Sequence, residues 1–114
     1  MKEYTHFFNN VMMYLGHYGW SINFCNDSYC WNKRKRIDIN LNCDGDIYQL
    51  ILHEIAHIDT CKYNNQAHNP VFWKRLEYLV WKFLKEDLDE YQEKMKKYMT
   101  AGIYKLCYKR SLIN

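Results

Sequence analysis

With one proline and four glycines among 114 residues, the chain has no Pro-, Gly- or Ser-rich stretch that would act as a linker. It therefore reads as a single domain over residues 1–114, a length typical of one. No apolar run is long enough to cross a membrane, which removes spanning helices from consideration. Residues 1–20 do not form a signal peptide either, because Lys2, Glu3, His6, Asn9 and Asn10 interrupt the apolar positions. The expectation is a soluble intracellular protein, in cytoplasm or nucleus. The five cysteines, Cys25, Cys30, Cys43, Cys61 and Cys107, include no C-x-x-C pair, so neither a disulfide framework nor a zinc ribbon is indicated. They read as free thiols; a second metal on Cys25, Cys30 and Cys43 would match no common structural spacing. The net charge of +3 is too mild to imply nucleic acid by itself. What the chain has in quantity is apolar and aromatic side chains, at 48% and 18%, enough for a full core and against disorder.

Taken in order, Phe7, Phe8, Val11, Met12 and Leu15 recur at three- and four-residue intervals and predict an amphipathic helix from about Glu3 to Tyr18, punctuated by Gly16 and Gly19. His6 and His17 on or near it read as surface or packing residues. Trp20, Ile22 and Phe24 alternate with polar residues as in a half-buried strand, and Asn26-Asp27-Ser28 is turn chemistry. A second short strand takes in Tyr29 and Trp31; a third runs from Arg36 to Leu41 with Ile37, Ile39 and Leu41 inward. Asn42 to Asp46 then leads into a helix, with Asp44 as N-cap and Asp46 favouring the helix dipole. That helix continues to about Lys62, followed by a polar loop from Tyr63 to Ala67. Asn69 and Pro70 are a cap and first-turn pair for the next helix. Its stripe, from Phe72 and Trp73 through Leu76, Leu79, Val80, Phe83 and Leu84 to Leu88, Tyr91 and Met95, would make an unbroken helix about 45 Å long. That exceeds the diameter of such a domain and predicts a break between Lys85 and Asp89. The segment Ile103 to Asn114 has no clear pattern. The class is α+β: an N-terminal helix, a small three-stranded, mostly antiparallel sheet, a central helix and one or two long C-terminal helices.

The central helix carries His53-Glu54-Ile55-Ala56-His57. Four residues return a side chain to nearly the same helical face, about 6 Å along the axis, so both imidazoles can reach one metal ion. Glu54, turned roughly 100° from His53, suits a carboxylate that touches a reacting water rather than the metal. This is the HExxH arrangement of zinc peptidases. Ile47, Leu50, Ile51, Ile55 and Ile58 recur around it at helix spacing and bury the segment. Catalytic zinc takes three protein ligands. His68, which the chain reaches after a loop and just before the next helix, is the first candidate for the third. Glu77 is its competitor, but it flanks an apolar stripe at a position that tends to face solvent.

The HEIAH segment, the polar loop, and the run His68-Asn69-Pro70-Val71-Phe72-Trp73-Lys74-Arg75-Leu76 together resemble the SprT/Spartan family of zinc metallopeptidases, with the YgjP-like and WLM proteases as relatives. Members show HExxH, a loop of variable length, and a histidine with an aromatic residue four positions beyond it. Arg36 to Leu41 is similar to the strand before their active-site helix, and the resemblance covers about Trp20 to Leu84. It implies a zincin-like fold, Zn2+ on His53, His57 and His68, and Glu54 as catalytic base. Asn69 stands where glycine is common in the family. The cysteine-rich C-terminal module and the DNA-binding and recruitment regions of larger members have no counterpart, so the chain looks like a minimal catalytic core.

The expected activity is peptide-bond hydrolysis by a zinc metalloendopeptidase. Zinc would bring the pKa of water toward about 7 and polarise the scissile carbonyl, while Glu54 takes a proton and passes it to the leaving amine. A protein or peptide substrate would add as a strand beside Arg36 to Leu41; Tyr63, Arg75 and His17 are the candidates for stabilising the oxyanion. The basic run Lys33, Arg34, Lys35 and Arg36 has two readings. One is a solvated hairpin tip that discourages edge pairing; the other is a phosphate contact, with Tyr29 and Trp31 for base stacking. The second fits the family's action on proteins attached to DNA in DNA-protein crosslink repair. The alternative to an enzyme is a non-catalytic, zinc-containing module for nucleic-acid binding or protein interaction.

Overall fold

A computed structural model describes residues 1–25, 29–31, 35–42, 45–61 and 68–100, with the side chains of 29–31 and 98–100 excepted. Its elements are α1 (Lys2–Leu15), β1 (Ser21–Cys25), β2 (Tyr29–Trp31), β3 (Arg36–Asn40), α2 (Ile47–Asp59), α3 (Pro70–Leu84) and α4 (Glu90–Thr100). The mixture of helix and strand is that of the α+β class. By their internal contacts, Met1–Ile58 form one compact unit and Asp59–Asn114 a second.

In the first unit, α1 buries Phe8, Val11 and Met12, each side chain worth about 1.5–3 kcal/mol when fully withdrawn from water. The helix ends earlier than its apolar spacing suggests. Gly16 takes φ 77°, its N–H bonds the Met13 carbonyl, and the His17 N–H reaches back to Met12 at 2.9 Å. That double bond is the Schellman ending, which only a left-handed residue permits without strain. Tyr4 lies 5.0 Å from Tyr48, centroid to centroid, and 6.2 Å from Phe24, so aromatic edges join α1 to β1 and α2.

The sheet is three-stranded in the order β1-β3-β2, and it is not the mostly antiparallel meander that the closely spaced strands suggest. β1 pairs β3 in parallel, from Ser21 opposite Arg36 to Cys25 opposite Asn40, while β2 pairs β3 antiparallel over a shorter stretch. The polar residues Arg36, Asp38 and Asn40 imply a water-facing side, but Ile37, Asp38 and Ile39 are all buried. Both faces of β3 are covered, as in the middle strand of a parallel arrangement. β3 ends where the Asn40 carboxamide oxygen accepts the Asn42 N–H at 2.8 Å, leaving Leu41 39% exposed rather than inward. Because β3 is central, both of its backbone edges are used, and a strand added to this sheet has only the outer edges of β1 and β2.

α2 is capped by Asp46, whose carboxylate accepts the N–H of Tyr48 at 2.8 Å and of Gln49 at 3.4 Å. Asp44, the capping residue read from sequence, lies outside the described residues. Buried positions, Gln49, Ile51, Leu52, Glu54, Ile55, Ala56, His57 and Ile58, run nearly all round the helix, so it carries polar groups into the interior along with its apolar ones.

In the second unit, Asn69 caps α3 by accepting the Phe72 N–H at 2.9 Å, and Pro70 begins the helix. The core face is Phe72, Trp73, Leu76, Leu79 and Val80, joined by Leu88 from beyond the helix. The predicted break is present: Lys85 turns left-handed at φ 57°, and Asp89 caps α4 through the Gln92 N–H at 3.0 Å. Among the described residues no helix is long and apolar enough to cross a membrane.

The buried cap at Asn69 gives a direct test. Asn69→Ala should lower the unfolding free energy by about 1–2 kcal/mol, read as a shifted urea midpoint with an unchanged slope.

Candidate metal centre

His53 and His57 stand one helical turn apart on α2, their rings 5.0 Å between centroids and nearly perpendicular at 72°. His57 is buried and His53 half-buried. His68 immediately precedes the α3 cap, its ring 4.9 Å from Phe72 and 5.7 Å from Trp73. His53, His57 and His68 lie close enough together to hold a metal ion: one ligand atom from each falls within 4.8 Å of the others. Burial lowers the His68 pKa, so the ring is neutral near pH 7 with a nitrogen lone pair available, as a ligand requires.

Glu54 is 4% exposed, and its Oε2 is buried with no hydrogen-bond partner among the described residues. Its pKa is pushed up to about 8, first by burial and second by the negative charge of Asp38. Asp38 itself is 2% exposed but compensated. Arg36 Nε stands 3.1 Å from its Oδ1 and Arg36 Nη2 donates to its Oδ2 at 3.2 Å, while Asn23 Nδ2 donates to Oδ1 at 3.1 Å. The two carboxylates thus differ: Asp38 has its counter-charge within the protein, and Glu54 has an oxygen left over. A cation held by the neighbouring histidines would favour the ionised form of Glu54. Three imidazoles, with a buried carboxylate adjacent in sequence to the first, are a donor set that a metal ion could use.

Other sequence candidates fall elsewhere. Glu77 is not in the histidine cluster; it pairs with Lys96 of α4. Arg75, considered for the oxyanion, has its Nε 2.7 Å from Asp59 Oδ2. His17 follows the α1 ending and is half-buried, and Tyr63 lies outside the described residues. Cys25 and Cys61 carry unbridged thiols. Of the basic run, Lys33 and Arg34 lie outside the described residues, Lys35 is exposed with φ 47°, and Arg36 is engaged by Asp38. Sequence reading passed over Asp38 and Asp59. An acid between Ile37 and Ile39 was the available signal for the first; nothing in the spacing announced the second. No protein-family model matches the chain, and no match is found among curated proteins or solved structures.

The raised Glu54 pKa fixes a sign for metal-free protein. Below the ordinary carboxyl value of 4.5 both states are protonated and the burial is not penalised; the penalty grows with pH and is complete above about 8. In chelator-treated protein, the stability of Glu54→Gln relative to wild type should therefore rise between pH 5 and pH 9, by on the order of 3 kcal/mol. Urea unfolding at the two pH values measures the difference.

Proposed function

We propose that the chain is a zinc-dependent endopeptidase in which His53, His57 and His68 hold the ion and Glu54 is the general base. One observation carries the reading: three imidazoles whose ligand atoms lie within 4.8 Å of one another, with a buried carboxylate next to the first of them in sequence whose Oε2 has no hydrogen-bond partner among the described residues. Neutral imidazoles suit zinc among the borderline metals, and a purely structural site gives no reason for Glu54.

Zinc, when bound, supplies a Lewis acid that acidifies water and polarises a carbonyl. The chain's own groups do the rest. Glu54 takes the proton from the attacking water and returns it to the amine that leaves, a transfer suited to a group whose proton affinity depends on nearby charge. Phe72 and Trp73 hold the His68 ring by contact, and the apolar shell of α2 keeps bulk water from Glu54. An extended peptide finds backbone partners on the outer edge of β1 or β2, a mode that reads main chain more than side chains. This favours broad sequence tolerance. A DNA-facing role for the basic run has less support, since the Arg36 guanidinium is turned onto Asp38.

Metal content and casein cleavage test the assignment together. Wild type and Glu77→Ala should purify with stoichiometric zinc and His68→Ala should lose it. Glu54→Gln should keep zinc while cleavage falls by roughly 10²–10⁴-fold. Cleavage by Glu54→Gln at the wild-type rate, or full zinc in His68→Ala, would refute the proposal.

A further inference from the structure

We infer that Trp73 is a positioning residue for His68, its indole setting the orientation of the imidazole within the second unit before any metal is bound; this rests on the three-histidine reading above. His68, Phe72 and Trp73 all belong to that unit. His68 precedes the cap residue Asn69 and stands outside α3, so no helical backbone restricts its rotamers. Two rings do so instead: Phe72, at 4.9 Å and 45°, and Trp73, at 5.7 Å and 49°. They meet each other edge to face, 5.2 Å apart at 77°, a favoured aromatic geometry. Both rings are anchored in the core, Phe72 at 1% exposure and Trp73 at 2%. Asn69 ties down the backbone of both: its side chain accepts the Phe72 N–H at 2.9 Å and its carbonyl the Trp73 N–H at 3.0 Å. The residue next to His68 thus fixes the two rings that touch it.

The indole carries a cost that packing alone does not explain. Its Nε1 is buried with no hydrogen-bond partner among the described residues, and a stranded donor opposes the gain from burying the ring. A phenylalanine at this position would bury less carbon but strand no donor, so in metal-free protein the two changes offset each other. The contact with His68 has no such offset. A ligand ring already held in one orientation loses less freedom when it takes an ion, and partners that act on a ligand without touching the metal change its retention by tenfold or more. Folding stability and metal retention therefore part company at Trp73, as they would not at a residue that only fills the core.

The test compares the full wild-type chain with Trp73→Phe, by zinc release into a chromophoric chelator and by thermal melting of metal-free protein. Trp73→Phe should melt within about 4 °C of wild type without metal and release zinc about tenfold faster. Release at the wild-type rate overturns the inference. So does metal-free melting that drops well beyond that margin, since the indole would then serve the core. A second measurement needs no variant: nuclear Overhauser contacts between the Trp73 indole and the His68 imidazole should be present in metal-free wild type and persist when zinc is added. Contacts that form only with zinc overturn the inference as well. A wild-type chain that takes up no zinc removes the three-histidine reading and this one with it, whereas a zinc-binding protein indifferent to Trp73→Phe sinks the positioning role alone.

Discussion

A carboxylate buried in an apolar interior must find a counter-charge, share a proton or be left at an energetic disadvantage, and the surroundings of α2 follow from that constraint. Two carboxylates face it. Asp38 is answered inside the protein by Arg36 and Asn23. Among the described residues Glu54 has no such answer for Oε2, and the charge on Asp38 makes the ionisation of Glu54 harder. The unmet group sits next to the residue that begins the histidine cluster, which is where a cation would be most effective.

The histidines are presented by different means. His53 and His57 inherit their spacing from a rigid helix whose apolar residues leave it little freedom, so their relation to each other is set by backbone geometry. His68 comes from a non-helical position, and its placement depends on the cap at Asn69 and the aromatic residues that follow. Burial of His68 lowers its pKa and so favours the neutral imidazole.

Local signals were the legible part. The His53 to His57 spacing, the Asn69-Pro70 start of α3 and the interruption at Lys85 can each be read within a few residues, because helices are governed by short-range periodicity and caps. Strand order was not legible. Three short strands joined by turn residues fit a meander as well as the observed order, and the polar alternation of Arg36, Asp38 and Asn40 pointed toward water. Only tertiary pairing turned Asp38 inward. At the start of α2 either acid satisfies the local rule; Asp46 accepts the N–H of Tyr48 and of Gln49, and Asp44 lies outside the described residues. His68 was nameable from its place before a helix, while the Asp59–Arg75 pair joins residues too far apart in sequence for any local pattern to encode.

The strand order also ranks the steps by which the sheet assembles. β2 meets β3 across residues 32–35, whereas β1 meets β3 only across residues 26–35. Closure entropy rises with the logarithm of the enclosed chain, so the hairpin is the less demanding nucleus and β1 joins an edge already made. β1 covers the longer stretch of β3, five residues against three for β2; loss of β1 would bare a row of donors and acceptors there, turning the most protected strand of the unit into a template for another chain.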